Sequence, residues 1–319
     1  MTMLSRTAEN LFWMTRYMER AETMARLLEV GYRIALMPSV GAGHQNDWAS
    51  ILSASGGAAD FASRYDGETT PATVEAFLFF DRENTSSVAN CIARARDNAR
   101  VVRTAVTSEV WDALNGAFQD LKSFERRGPG RTDLMTLCDW TKRQTALLRG
   151  AIESTQLQQD GYDFMNLGYY IERADNTARM LDVKYYVLLP VTDRVGGGVD
   201  NYQWTTLLRA MSVFRAFHWA YGGDYTPGKI AHFLILNKSC PRSLIHCAEQ
   251  TNYHLARLSR AYGQRTKPHQ TARTILAELA DADIDDVVFS GLHEFLTGHI
   301  GRTAALGSEI ADTYLFGGG

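Results

Sequence analysis

The chain has 319 residues, 45% hydrophobic and 22% charged, with a formal net charge of −3. That is the composition of a globular protein long enough for a sizeable core, and it excludes a disordered, collagen-like or disulfide-rich chain. With no basic excess, nothing global recommends nucleic acid or an anionic membrane as a partner.

The first twenty residues contain neither a signal-peptide core nor a run of ~20 apolar residues, so no membrane span is expected there. From Leu11 the residues Met14, Met18, Ala21, Ala25 and Leu28 advance by threes and fours, one stripe of an α-helix. Asn84 is expected to cap a helix that starts at Thr85. That helix carries Arg94, Arg96, Arg100 and Arg103 against Asp97, either a solvated face or a dock for something acidic. The "GPGR" at Gly128 reads as a loop between helices, as does "RVGGGVD" at Arg194, which is further expected to be mobile. Between them Leu167, Ile171, Ala174, Ala178 and Leu181 repeat the first stripe. Further on, Cys240 precedes Pro241, a favoured first helical residue. Strand signals are weak, and the expected fold is an all-α bundle.

Cys91, Cys138, Cys240 and Cys247 show no Cys-x-x-Cys spacing, which suits reduced thiols in a cytoplasmic protein and sets zinc ribbons and redox motifs aside. His246 beside Cys247 reads as structural, because neighbours on a helix point apart. His293 and His299 are six apart and diverge by about 120° on a helix, unlike a zinc-protease pair. Without a Glu-x-x-His pair no di-iron or other metal site is expected, and no nucleotide-binding glycine fingerprint is present.

The chain is written twice. "YMERAETMARLLEV" from Tyr17 returns as "YIERADNTARMLDV" from Tyr170, 153 positions on. Trp48 matches Trp204, Pro71 matches Pro227, and "FLFFDRENTSSVANC" from Phe77 matches "FLILNKSCPRSLIHC" from Phe233, all 156 positions on. One domain made of two related units, about 1–155 and 156–319, is expected to fold with pseudo-twofold symmetry.

Phe12, Trp13 and Leu27 make the first motif helix apolar on more than one side, so it is central and its charges need partners. Glu22 with Arg26, and Asp175 with Arg179, can pair at i, i+4. Glu19, Arg20, Glu172 and Arg173 are then expected to pair with one another across the two copies. These eight residues are the candidates for a purely structural ion network or for a polar pocket that binds a ligand. A second candidate, for an anion at a helix N-terminus, comprises Arg82, Asn84 and Ser87 with the matching Lys238, Arg242 and Ser243; a capped surface helix is the alternative.

Several pieces together resemble the Alpha-E family, α-helical proteins named for a Glu-Arg dipeptide: "LSRTAENLFWMTRYMERAE" at Leu4, "FLFFDRENTSSV" at Phe77, "ARARDNARVVR" at Ala93, "SEVWDALN" at Ser108, "DGYDFMNLGYYIERADNTARMLDV" at Asp160 and "CPRS" at Cys240. Thr85 departs from the family pattern, which usually has Pro there. The resemblance implies an all-helical protein whose name-giving positions are Glu19, Arg20, Glu172 and Arg173. It also implies a setting beside ATP-grasp proteins, often with transglutaminase-like proteins, in systems that make or modify peptide or amide bonds. The expectation that follows is an accessory or substrate-handling protein for an ATP-grasp-type ligase, with ATP and Mg on that partner and an acidic peptide or amino acid as ligand. Two rivals stand beside it: a self-contained enzyme with Glu19 or Glu172 as general base, and a purely structural scaffold.

Overall fold

The computed structural model describes residues 3–36, 44–65, 69–187, 198–314 and 316, and they form an all-α fold with no strands among them. The helices of the first half are α1 (Ser5–Ala35), α2 (His44–Ser55), α3 (Ala58–Arg64), α4 (Pro71–Glu75), α5 (Val88–Val101), α6 (Ser108–Arg127) and α7 (Leu134–Thr155). Those of the second are α8 (Asp160–Val187), α9 (Gly198–Ala210), α10 (Phe214–Tyr221), α11 (Pro227–Ile235), α12 (Leu244–Tyr262), α13 (Lys267–Asp281) and α14 (Ile284–Thr313). None is long and apolar enough to cross a membrane, among the described residues.

α1 and α8 cross at the centre. Every residue of their two apolar stripes is buried. α5 and α7 flank α1, with α6 closing over both; α12 and α14 flank α8, with α13 closing over those. The central crossing is close because Gly168 has no side chain: a Cβ there would lie 2.1 Å from the Phe12 carbonyl oxygen. Thr15 sits against the same spot and donates its hydroxyl to the Met165 carbonyl at 2.7 Å.

Pro71 and Pro227 occupy the first turns of α4 and α11, where a missing N–H costs nothing. α4 runs on into a π-helical turn, Ala76–Phe80. The Phe77 ring meets Phe61 and Tyr65 edge-on at 77° and 80°, and Phe233 meets Phe217 and Tyr221 at 83° and 85°. The spacing of the two ring trios along the chain is again 156.

The helix starts fall later than the sequence suggested. Ser87, not Asn84, caps α5: its Oγ accepts the Asn90 N–H at 3.1 Å, while Asn84 turns back to donate Nδ2 to the Phe77 carbonyl at 2.9 Å. Likewise Ser243 caps α12 by accepting the His246 N–H at 3.2 Å, leaving Pro241 in the preceding turn. "GPGR" is a loop, with Gly128 at φ 85° where an L side chain would be strained. Of "RVGGGVD", residues 194–197 lie outside the described residues, but α9 begins at Gly198 and the loop reading ends there. α14 is two helices meeting at Gly291, whose φ of 118° interrupts the spiral.

Candidate functional site

On α1, Arg16, Glu19 and Arg20 are three and four apart and so share a face; Glu22 and Arg26 make the next turn and a half. α8 brings Glu172 and Arg173 against them. Arg20 grips Glu172 through both oxygens, Nε to Oε1 at 2.6 Å and Nη2 to Oε2 at 3.0 Å, and Arg16 Nε reaches Oε2 at 2.8 Å. Arg173 returns the grip on Glu19, Nε to Oε1 at 2.9 Å and Nη2 to Oε2 at 3.1 Å. The Glu-Arg pairs are thus exchanged between the two helices, as buried charges require.

Beside Glu19, Glu22 accepts from Arg26 and Arg242, and its other oxygen takes the Thr145 hydroxyl of α7 at 2.8 Å. Arg242, in the turn before α12, also lies 3.5 Å from Glu19. Arg26 continues to the Ala210 carbonyl at the end of α9 and to Ser212 Oγ at 2.9 Å. A cation there suits the negative end of α9. Asp175 pairs with Arg179 at 2.7 Å, further from the centre. Glu19 and Glu172 are 2% and 1% exposed, so the network lies in the core rather than on a face.

Burial alone would push the Glu172 carboxyl up, but Arg20 and Arg16 outweigh it and hold it at about 2. Glu22 likewise sits well below its ordinary value: burial opposes ionisation, while Arg26, Arg242 and Arg173 drive it. Asp175 goes the other way, raised by burial that Arg179 only partly offsets. Burial depresses Arg173, yet Glu19 more than restores it and leaves it well above its ordinary value. Chemically this is a set of fixed ions. Glu22 and Glu172 are poor proton acceptors at neutral pH because their charged forms are so strongly stabilised.

The six anion candidates stand as two trios before α5 and α12, and most of them already have partners. Arg82 pairs with Glu125 through Nε at 2.6 Å and donates to the Ala89 carbonyl, and Lys238 pairs with Glu249 at 3.2 Å. Ser87 and Ser243 cap their own helices and donate to the Asp81 and Asn237 carbonyls. Asn84 lies in the turn before α5, and Arg242 belongs to the central network instead. Among the remaining arginines, Arg96 lies over Trp111 and Phe118, Arg103 over Trp111 and Arg94 over Tyr17.

Sequence reasoning missed Arg16, Thr145 and Ser212. Arg16 was within reach, being one turn before Arg20; the other two arrive from distant segments. His293 is taken by Asp182 at 2.6 Å, and His299 is buried with neither ring nitrogen hydrogen-bonded among the described residues. Burial, with Arg302 nearby, lowers His299 to about 4. Cys247 is fully buried and its thiol is pushed up to about 12, which leaves it inert as a nucleophile. No cluster of three or more His, Cys, Asp or Glu suited to a metal occurs among the described residues.

The model of one family, described as a predicted alpha-helical domain with a conserved ER motif, matches residues 3–315. The chain belongs to the Alpha-E family. No curated protein and no solved structure matches it. Glu-Arg occurs at Glu19-Arg20 and Glu172-Arg173 of this Alpha-E chain, and also at Glu125-Arg126 near the end of α6, where Glu125 serves Arg82.

Proposed function

We propose that this chain is a helical accessory or substrate-handling protein of an ATP-grasp-linked system that forms or modifies amide or peptide bonds. In this reading the nucleotide and Mg belong to an ATP-grasp-type ligase, with a transglutaminase-like protein as a further component, all in the cytoplasm and away from membranes and nucleic acid. The observation that carries the non-catalytic part is the exchange itself: Glu172 is buried, gripped by two guanidinium groups and held ionised, which argues against its use as a general base. The network then acts by fixing the shape on which a substrate or partner is received. The partner class rests on the family resemblance and on the absence of a nucleotide fingerprint from the sequence.

An acidic ligand is favoured by the balance of charge. Glu172 faces Arg16 and Arg20, and Glu19 with Glu22 faces Arg26, Arg173 and Arg242, so each cluster carries one guanidinium in excess. The same pairing also favours the scaffold reading, in which the exchange serves only to fix helix register.

The two-unit, pseudo-twofold architecture is part of the proposal. It is supported by Thr15 meeting Gly168, which stand at equivalent places of the repeat, by the reciprocal Glu-Arg grips, and by the two matching aromatic trios.

The test is affinity purification of the tagged chain from its native host at low salt, with mass spectrometry of what accompanies it. Reproducible recovery of an ATP-grasp protein is expected; recovery of the chain alone counts against the accessory reading. Glu19→Gln and Glu172→Gln then separate the roles: loss of melting temperature marks a structural network, and loss of ligation in a normally folded protein marks a site.

A further inference from the structure

A cleft of 360 Å³ opens between α7, α8 and α12, in the range of about 300–1,000 Å³ that small-molecule sites occupy. Arg149 and Glu153 come from α7, Tyr162, Asn166 and Tyr170 from α8, and His254 and Arg257 from α12. None of these belongs to the Glu-Arg network, although Arg149 and Arg173 both stack on the Tyr169 ring, each 4.1 Å from its centre.

Most charges around the cleft are already matched. Arg149 pairs with Glu153 at 2.5 Å and donates Nη2 to the Tyr170 hydroxyl at 3.3 Å; Glu153 also accepts from the Tyr162 hydroxyl at 2.6 Å. Asp163, beneath the cleft, takes His254 at 2.8 Å and Arg257 at 2.6 Å. Two atoms are left over. Asn166 donates Nδ2 to the Tyr162 carbonyl at 2.9 Å, which fixes its Oδ1 as an acceptor, and that oxygen has no donor. Arg149 Nη1 is a donor with no acceptor. Both atoms are withheld from water, so neither is satisfied by solvent in this arrangement.

The first half of the chain carries a different residue at the matching place. The residue 153 positions before Asn166 is Trp13, whose indole packs on Tyr17 at 5.4 Å and lies under Arg16 at 4.6 Å. Asn166 instead is buried at the cleft with an unmet acceptor.

A ligand that completes this cleft must bring a donor for Asn166 and an anionic acceptor for Arg149, on a frame small enough for aromatic walls to enclose. An ammonium and a carboxylate on one small molecule meet both demands. We propose that the cleft binds a zwitterion with free termini, a single amino acid or a dipeptide, once the Arg149 and Asn166 side chains turn to receive it. A second hollow of 540 Å³ continues past Gln158 and Arg257, giving a dipeptide room that a single residue does not use. The site stands apart from any ligase partner, and its test reads ligand binding alone.

The experiment is titration calorimetry of the full chain with free amino acids, dipeptides, and the same compounds acetylated at the amine or amidated at the carboxylate. Saturable binding of a free-terminus compound is expected, weakened by either cap at least about tenfold, the loss that goes with one charge-assisted hydrogen bond. Tighter binding of dipeptides assigns the second hollow to the second residue; equal binding assigns the ligand to the single amino acid. Arg149→Met and Asn166→Leu each weaken binding by a similar factor, and should either fail to fold, the capped compounds on the unaltered chain decide the matter. No saturable binding of any free-terminus compound, or capped and free compounds binding alike, overturns the proposal.

Discussion

At one end of the α1–α8 exchange Glu172 is held by Arg20 and Arg16, both from α1, with side chains 23% and 14% exposed. At the other end Glu19 is held by Arg173 and Arg242, from α8 and the turn before α12, 10% and 11% exposed. The place equivalent to Arg16 is taken by Tyr169, and the place equivalent to Arg242 by Ser86, so each end supplies its extra cation from a different segment. One motif closes within its own helix pair, its arginines somewhat less buried than those of the other. The other closes only when a third segment docks, and it draws in Glu22, Arg26 and the end of α9 as well. The difference teaches that a shared Glu-Arg dipeptide fixes the first partner and leaves the surroundings free to diverge.

Breaking the drier end should cost most. Arg173→Met leaves Glu19 buried with Arg242 at 3.5 Å as its remaining cation, and a loss of about 3–5 kcal/mol is expected in chemical denaturation. Gly168→Ala, which strikes the crossing between the two ends, should cost about 1–3 kcal/mol because the new methyl meets backbone rather than a yielding side chain. Arg20→Met at the other end should cost less, about 2 kcal/mol, since Glu172 is just as buried but keeps Arg16 at 2.8 Å. Equal losses for the Arg173 and Arg20 variants would dissolve the contrast.

Acid sharpens the comparison further. The Glu172 carboxyl lies at about 2 when folded against an ordinary 4.5, so its contribution is complete above 4.5 and is lost as pH falls towards 2. Thermal midpoints measured across that window should fall steeply in the parent chain and less steeply in Glu172→Gln. His299, on the α8 side, supplies the smallest effect, in the same direction but in a higher pH window. Its folded value of about 4 lies below the ordinary 6.5, so it costs stability progressively as pH drops from 6.5 to 4. His299→Leu should raise the midpoint by the equivalent of about 1 kcal/mol and flatten that upper window, because it removes two unbonded buried nitrogens.

The central crossing was legible in the sequence because two physical demands leave few solutions. A 3.6-residue period fixes which side chains face inward, and buried charge must find its opposite; together they led to Leu11 through Leu28 as a stripe and to Arg20 with Glu172 and Arg173 with Glu19 as pairs. The start of α5 was less legible, since Asn84 and Ser87 are both good caps and only the turn between Asp81 and Ser87 chooses Ser87. The sequence alone offers Arg242 as an anion-binding candidate beside a helix N-terminus, because nothing local marks an arginine in a turn as buried. Its partners Glu19 and Glu22 lie more than two hundred positions away and become visible only when α12 packs on α8. The Asn166 cleft has no sequence signature at all, being a space between three helices.

α1 precedes in the chain several of the groups that neutralise its charges. Glu22 and Arg26 pair within α1, but Glu19 waits for Arg173 and Arg242, and Arg26 for the end of α9, so a nascent chain emerging in order lacks part of α1's counter-charge until residue 242 has been synthesised. The two halves of the chain are therefore bound to one another by charge: each holds counter-ions of the other.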